Sequence, residues 1–159
     1  MPQFRTLNHL YSSMENNIFS KMPTNWAVCA QADCPLHEDC LRYQTFEIVN
    51  AHHTQQRCVL PSARGKKGCR YHIPFAKVPV AWGMRNLLSG VKESDAEQMR
   101  ASIKACFSSH STYYRYYNAR YPISPAQQQD IRRIFKRFGY SPDAVRFDRI
   151  EQDYFFPQS

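Results

Sequence analysis

Four cysteines stand where a metal site could be built. Cys29, Cys34 and Cys40 are separated by four and five residues, and 28 residues intervene before Cys69. Thiolates are soft, negatively charged donors. Four of them around one cation make a closed tetrahedral zinc site, or the corners of an iron–sulfur cluster. Pro35, directly after Cys34, favours a loop over a continuous helix and so lets the first three thiols converge. Familiar zinc sites carry closely paired cysteines, and only Cys29 and Cys34 fall within that spacing, at its loose end; the wider spacing is compatible with either metal, with zinc the expected cofactor and an iron–sulfur cluster the alternative. Cys58, His37, His72 and the His52-His53 pair are spare donors. Buried free thiols are the competing reading, because cysteine is among the most buried residue types. Cys106 reads as core packing within a helical stripe, and His37 as exposed. No His-Glu-x-x-His, Pro-Cys-x-x-Cys, phosphate-cradling loop or Gly-x-Ser-x-Gly elbow is present. A closed all-cysteine site would therefore be structural and the protein non-enzymatic.

A second group of residues suits polyanions. Between Arg100 and Arg137 eight cations stand against the single acid Asp130, and Tyr113, Tyr114, Tyr116, Tyr117 and Tyr121 interleave with Arg115 and Arg120. Arginine pairs with phosphate bidentately, and tyrosine stacks on bases or donates to phosphate oxygens. The expected nucleic-acid-binding set is Ser111, Thr112, Arg115, Tyr116, Arg120, Arg132, Arg133 and Lys136. The bland counterpart is a half-buried tyrosine face beside the solvated side of an ordinary helix.

The elements that would position these groups can be read from periodicity. Residues 1–22 form an arm, residues 23–76 a cysteine-rich lobe, and residues 77–159 a basic helical module with a possible closing strand. In the lobe, Phe46–Val49 reads as a short strand, and the Gly- and Lys/Arg-rich stretch Arg64–Gly68 as a turn leading into Cys69. From Val78, Val80, Ala81, Met84, Leu87, Leu88 and Val91 recur at three- and four-residue steps and predict a helix stopping near Gly90. A second helix opens with the capping-box spacing of Ser94 and Glu97. A third covers Ser111–Asn118. The fourth has Ser124 as its cap, Pro125 in its first turn, Gln127 at the capping-box position and Gly139 past its end. The tail from Val145 to Phe156 reads as the closing strand.

The 159 residues suit one domain or two small lobes, and 43% hydrophobic content with 14% aromatics can bury a core. A formal charge of +8 favours polyanionic partners. No segment reads as a secretory signal or a membrane span, so the expected location is the cytoplasm, where thiols stay reduced.

The order of a helix, the polar turn Ser108-Ser109-His110, a short helix with a Thr-Tyr-Tyr-Arg run, a Pro-containing loop and a capped amphipathic helix resembles helix-turn-helix DNA-binding proteins. The resemblance implies that Ser111, Thr112, Arg115 and Tyr116 face the major groove while Arg120 meets the backbone. Phe107 and Ile103 depart from that pattern, standing where glycine and a small residue are usual. Over roughly residues 22–155 the chain also resembles a family of small uncharacterised proteins from anaerobic bacteria. It does so through MPTNWAVCAQADCPLHEDCLR, GCRYH, TYYRYYNARYPISPAQQQDIRRIFKRFGY and FDRIEQDY. That resemblance implies that Cys29, Cys34, Cys40 and Cys69 act as one unit. The expected fold is α+β and mostly α, a metal-stapled, loop-rich N-terminal lobe with short strands beside about four C-terminal helices. The expected function is a regulatory, non-enzymatic nucleic-acid-binding protein. A module that meets an acidic protein partner is the alternative, or an iron–sulfur redox or sensor protein if iron is bound.

Overall fold

A computed structural model describes residues 17–157, so most of the expected N-terminal arm lies outside the described residues. The fold is mixed α+β and rich in helix. The chain divides into two compact units, one ending at Ala76 and the other beginning at Lys77.

In the first unit, residues 17–21 are helical and the remaining regular structure is sparse. Helix α1 spans Leu41–Asn50, and strands β1 (Arg64–Gly65) and β2 (Gly68–Cys69) form a two-residue antiparallel ladder. The strand expected at Phe46–Val49 is instead the second half of α1. Local β-branched content suggested a strand, but tertiary packing decides. Leu41, Thr45 and Val49 recur every four residues on the buried face. The Thr45 hydroxyl donates to the Leu41 carbonyl at 2.8 Å and accepts from the buried Trp26 indole N–H at 2.9 Å. Two isolated bridges tie the loops: Val28 pairs in parallel with Cys58, and Cys40 antiparallel with Pro74. The amide of Leu41 donates to the Ile73 carbonyl at 2.8 Å, which pins the start of α1 to the segment after Cys69.

The second unit is built on strands β3 (Lys77–Trp82) and β4 (Arg149–Tyr154), antiparallel with Lys77 opposite Tyr154 and Trp82 opposite Arg149. The helix expected from Val78 to Gly90 is therefore corrected: its first half is β3 and its second half is turns. Pro79 cannot donate within a helix, and a strand supplied by the C-terminal end of the chain completes the ladder. Three α-helices follow β3 where about four were expected: α2 (Glu93–Lys104), α3 (His110–Tyr117) and α4 (Pro125–Arg137). The core joins Ala81, Met99, Ile103, Tyr113, Ile123, Ile131 and Phe135, all buried.

The ends of these helices follow hydrogen-bond chemistry. Ser124 and Gln127 close a full capping box on α4, and Gly139 takes the left-handed conformation (φ 83°) just past its end. The capping box expected for α2 does not form, because the helix already begins at Glu93 and Ser94 lies within its first turn. The Tyr140 hydroxyl serves that end instead, accepting from the Lys92 amide at 3.1 Å and donating to the Asp95 carboxylate at 2.6 Å.

After β3 the chain turns at Gly83, whose φ of 73° favours glycine. The Asp148 carboxylate holds this turn by accepting from the amides of Arg85 at 3.3 Å and Asn86 at 3.0 Å. A Cβ on Gly83 would lie 2.8 Å from Asp148 Cγ, whereas one on Gly90 would meet nothing within 4 Å. Gly83→Ala should cost about 2–4 kcal/mol, combining left-handed strain with displacement of Asp148. Gly90→Ala should change stability by less than about 0.5 kcal/mol. Urea unfolding of both variants checks the pair.

Candidate functional site

Cys29, Cys34, Cys40 and Cys69 line one cavity of about 20 Å³ in the first unit. Each arrives by a different route. Cys29 follows the bridged residue Val28, and its amide donates to the Arg42 carbonyl at 3.0 Å. Cys34 and Cys40 flank a run of tight turns in which the amide of His37 donates to the Cys34 carbonyl and that of Cys40 to the His37 carbonyl. Cys40 is also the N-terminal boundary of α1, and Cys69 ends β2. Cys34 and Cys40 are buried, while Cys29 and Cys69 are half-buried. Burial pushes the Cys29 thiol up from its ordinary value, and the nearby Cys40, Cys58 and Cys34 push the same way. Among the described residues, no three His, Cys, Asp or Glu side chains already stand as a metal-holding group.

The cavity has lining that the spacing of cysteines did not disclose. His37 and His72 both border it. His37 is half-buried rather than exposed, with Nδ1 2.7 Å from the Cys34 carbonyl, and His72 Nε2 lies 3.0 Å from the Asp39 carbonyl. In each case one ring nitrogen is engaged by backbone. Gln31 donates through Nε2 to the Val59 carbonyl at 3.2 Å, yet its buried Oε1 has no hydrogen-bond partner. An orphaned acceptor beside four thiols is compatible with a cationic occupant. Two guanidiniums complete the wall, Arg42 and Arg64. Arg64 pairs with Asp33 at 2.9 Å, and that bond chiefly raises its pKa. Cys58 is exposed and does not line the cavity. Cys106, expected in the core, is exposed, with its thiol 3.6 Å from the Ser102 carbonyl.

The expected nucleic-acid-binding residues all lie in the second unit, with unequal access. Ser111, Arg115, Arg120, Arg133 and Lys136 are exposed. Thr112 is half-buried and its hydroxyl lies 2.9 Å from that of the capping residue Ser109. Arg115 donates to the Tyr121 hydroxyl, and Arg133 pairs with Asp130 at 2.6 Å. Arg132 is half-buried, with Nη1 buried and unpartnered and its guanidinium 5.9 Å from the Phe147 ring centre. Tyr116 is the correction. It is only 6% exposed, packed at 4.8 Å from Phe107 and 5.5 Å from Tyr121 between ring centres, so it cannot reach a groove. The exposed aromatic of α3 is Tyr114, at 38%, with Lys104 Nζ 5.6 Å from its ring centre.

Residues 13–156 match the family of unknown function DUF6078, and the chain belongs to that family. No curated protein and no solved structure matched the chain.

Tyr116→Ala should remove a core ring and cost about 3–5 kcal/mol. Chemical denaturation should show this loss; a variant as stable as the parent would return Tyr116 to the surface set.

Proposed function

We propose that this chain is a non-enzymatic protein whose first unit is held by one structural zinc ion on Cys29, Cys34, Cys40 and Cys69, and whose second unit binds nucleic acid. The supporting observation for the first half is that Cys69 lines the same small cavity as the closely spaced Cys29, Cys34 and Cys40. The donor chemistry agrees, since four thiolates with no further requirement make a closed site that contributes folding free energy. Zinc in such a site would act as a cross-link between segments and leave no open position for substrate.

The second half rests on exposed cations. Ser111, Arg115 and Arg120 around α3, with Arg133 and Lys136 on α4, are open to solvent and suit phosphate contacts that position a duplex rather than read it. With Tyr116 in the core, base-edge recognition is left to Ser111 and Arg115. An acidic protein would meet the same cations, and nucleic acid is favoured because Tyr114 adds an exposed ring suited to stacking.

Cys34→Ser should lower the stability of the zinc-loaded protein by several kcal/mol, given that structural zinc supplies on the order of 10 kcal/mol to folding. Cys106→Ser should leave it unchanged. Equal stability of Cys34→Ser and parent in guanidinium unfolding would remove the metal reading. For nucleic acid, Arg115→Ala with Arg120→Ala should weaken binding to a fluorescent DNA duplex by about tenfold or more, at unchanged melting temperature. Parent affinity should fall steeply with salt as counterions are released. Affinity insensitive to both the substitutions and salt would leave an acidic protein as the partner.

A further inference from the structure

The Arg42 side chain poses a charge problem. It is half-buried, and its guanidinium lies 4.0 Å from the ring centre of the buried Trp26 and 5.8 Å from that of Tyr71. Its Nε donates to the Tyr71 carbonyl at 3.0 Å and its Nη1 to the Ala27 carbonyl. Among the described residues no carboxylate pairs with it. A guanidinium half withdrawn from water is favoured by a nearby anion, and two carbonyls engage only two of its five N–H groups. Arg42 lines the same cavity as Cys29, Cys34, Cys40 and Cys69.

Neutral thiols do not answer that need. Four thiolates around a divalent ion do, because such a centre carries two net negative charges. Arg64, on the same wall, is shared with Asp33 and so is only partly available.

We infer that Arg42 is the counter-charge of the thiolate centre, a positioning residue that holds the loops of Ala27 and Tyr71 with its backbone bonds while its positive charge stabilises the metal-bound form. This rests on the zinc reading given above. It explains why a large cation is placed against Trp26 beside four cysteines and not on the surface. It also assigns the site a partner outside the ligand set, of the kind whose loss costs about 10–100-fold in metal affinity.

The test separates charge from scaffolding. Zinc affinity of the full chain is measured by competition with a chromophoric chelator at one pH and one salt concentration, for the parent and for Arg42→Lys, Arg42→Gln and Arg57→Gln. Arg57 is exposed and serves as the control. Lys keeps the charge without the fork, and Gln keeps N–H donors without the charge. The expected order is parent, then Lys, then Gln, with Gln at least tenfold weaker than the parent and Arg57→Gln equal to it. Equal affinity of the Lys and Gln variants would overturn the counter-charge while leaving the zinc site standing, as would equal losses of stability with and without zinc. A parent chain that binds no zinc would overturn the zinc reading itself and the inference with it.

Discussion

The first unit must close long loops with almost no ladder to do it. Among the described residues, its regular structure beyond residues 17–21 is one ten-residue helix, a single 3-10 turn at Pro61–Ala63 and a two-residue hairpin. Its buried apolar residues, such as Trp26, Val28, Leu41, Val49 and Val59, lie along one spine beside α1. Ordering each loop residue costs about 1–2 kcal/mol of backbone entropy, which so small a core is poorly placed to offset. Under the zinc proposal, the cavity lined by Cys29, Cys34, Cys40 and Cys69 is the constraint on which this unit depends. A bound ion there would join the segment after Val28, the turns before α1 and the hairpin that ends in Cys69. The contacts around it serve the same closure: Leu41 N–H to Ile73, Cys29 N–H to Arg42, and Arg42 to Ala27 and Tyr71.

The second unit solves the same problem by ordinary means. Three helices cover a two-stranded ladder, and a contiguous buried cluster from Ala81 to Val145 holds them. Its polar side chains close the structure where backbone groups would otherwise be left over. Gln128 donates to the carbonyls of Pro79 and Ile123, Tyr140 serves the start of α2, and Asp148 braces the turn at Gly83. Its exposed cations lie in a different unit from the cysteines.

Legibility from sequence followed the range of the interactions involved. Helix α4 was fully readable, since Ser124, Pro125 and Gln127 act locally at its start and Gly139 acts locally just past its end. The four cysteines singled out by residue type, spacing and family resemblance all line one cavity. The strand at Lys77–Trp82 was not, because its partner lies some seventy residues away at Arg149–Tyr154 and the local pattern of apolar residues fits a helix equally well. Phe46–Val49 misled for the converse reason: β-branched residues were recruited into α1 by the burial of Thr45 against Trp26. Tyr116 could not be told from a surface tyrosine until Phe107 was seen to cover it. His37 and His72 were legible as spare donors by residue type, whereas Arg42 and Gln31 entered the site only through folding, as nothing in their spacing marks them.

The most direct measurement is the metal content of protein purified without oxygen, by elemental mass spectrometry together with a visible absorption spectrum. One zinc per chain and a colourless solution is the result expected of a closed mononuclear thiolate site. Iron with a brown chromophore, or a folded chain carrying no metal, would contradict it.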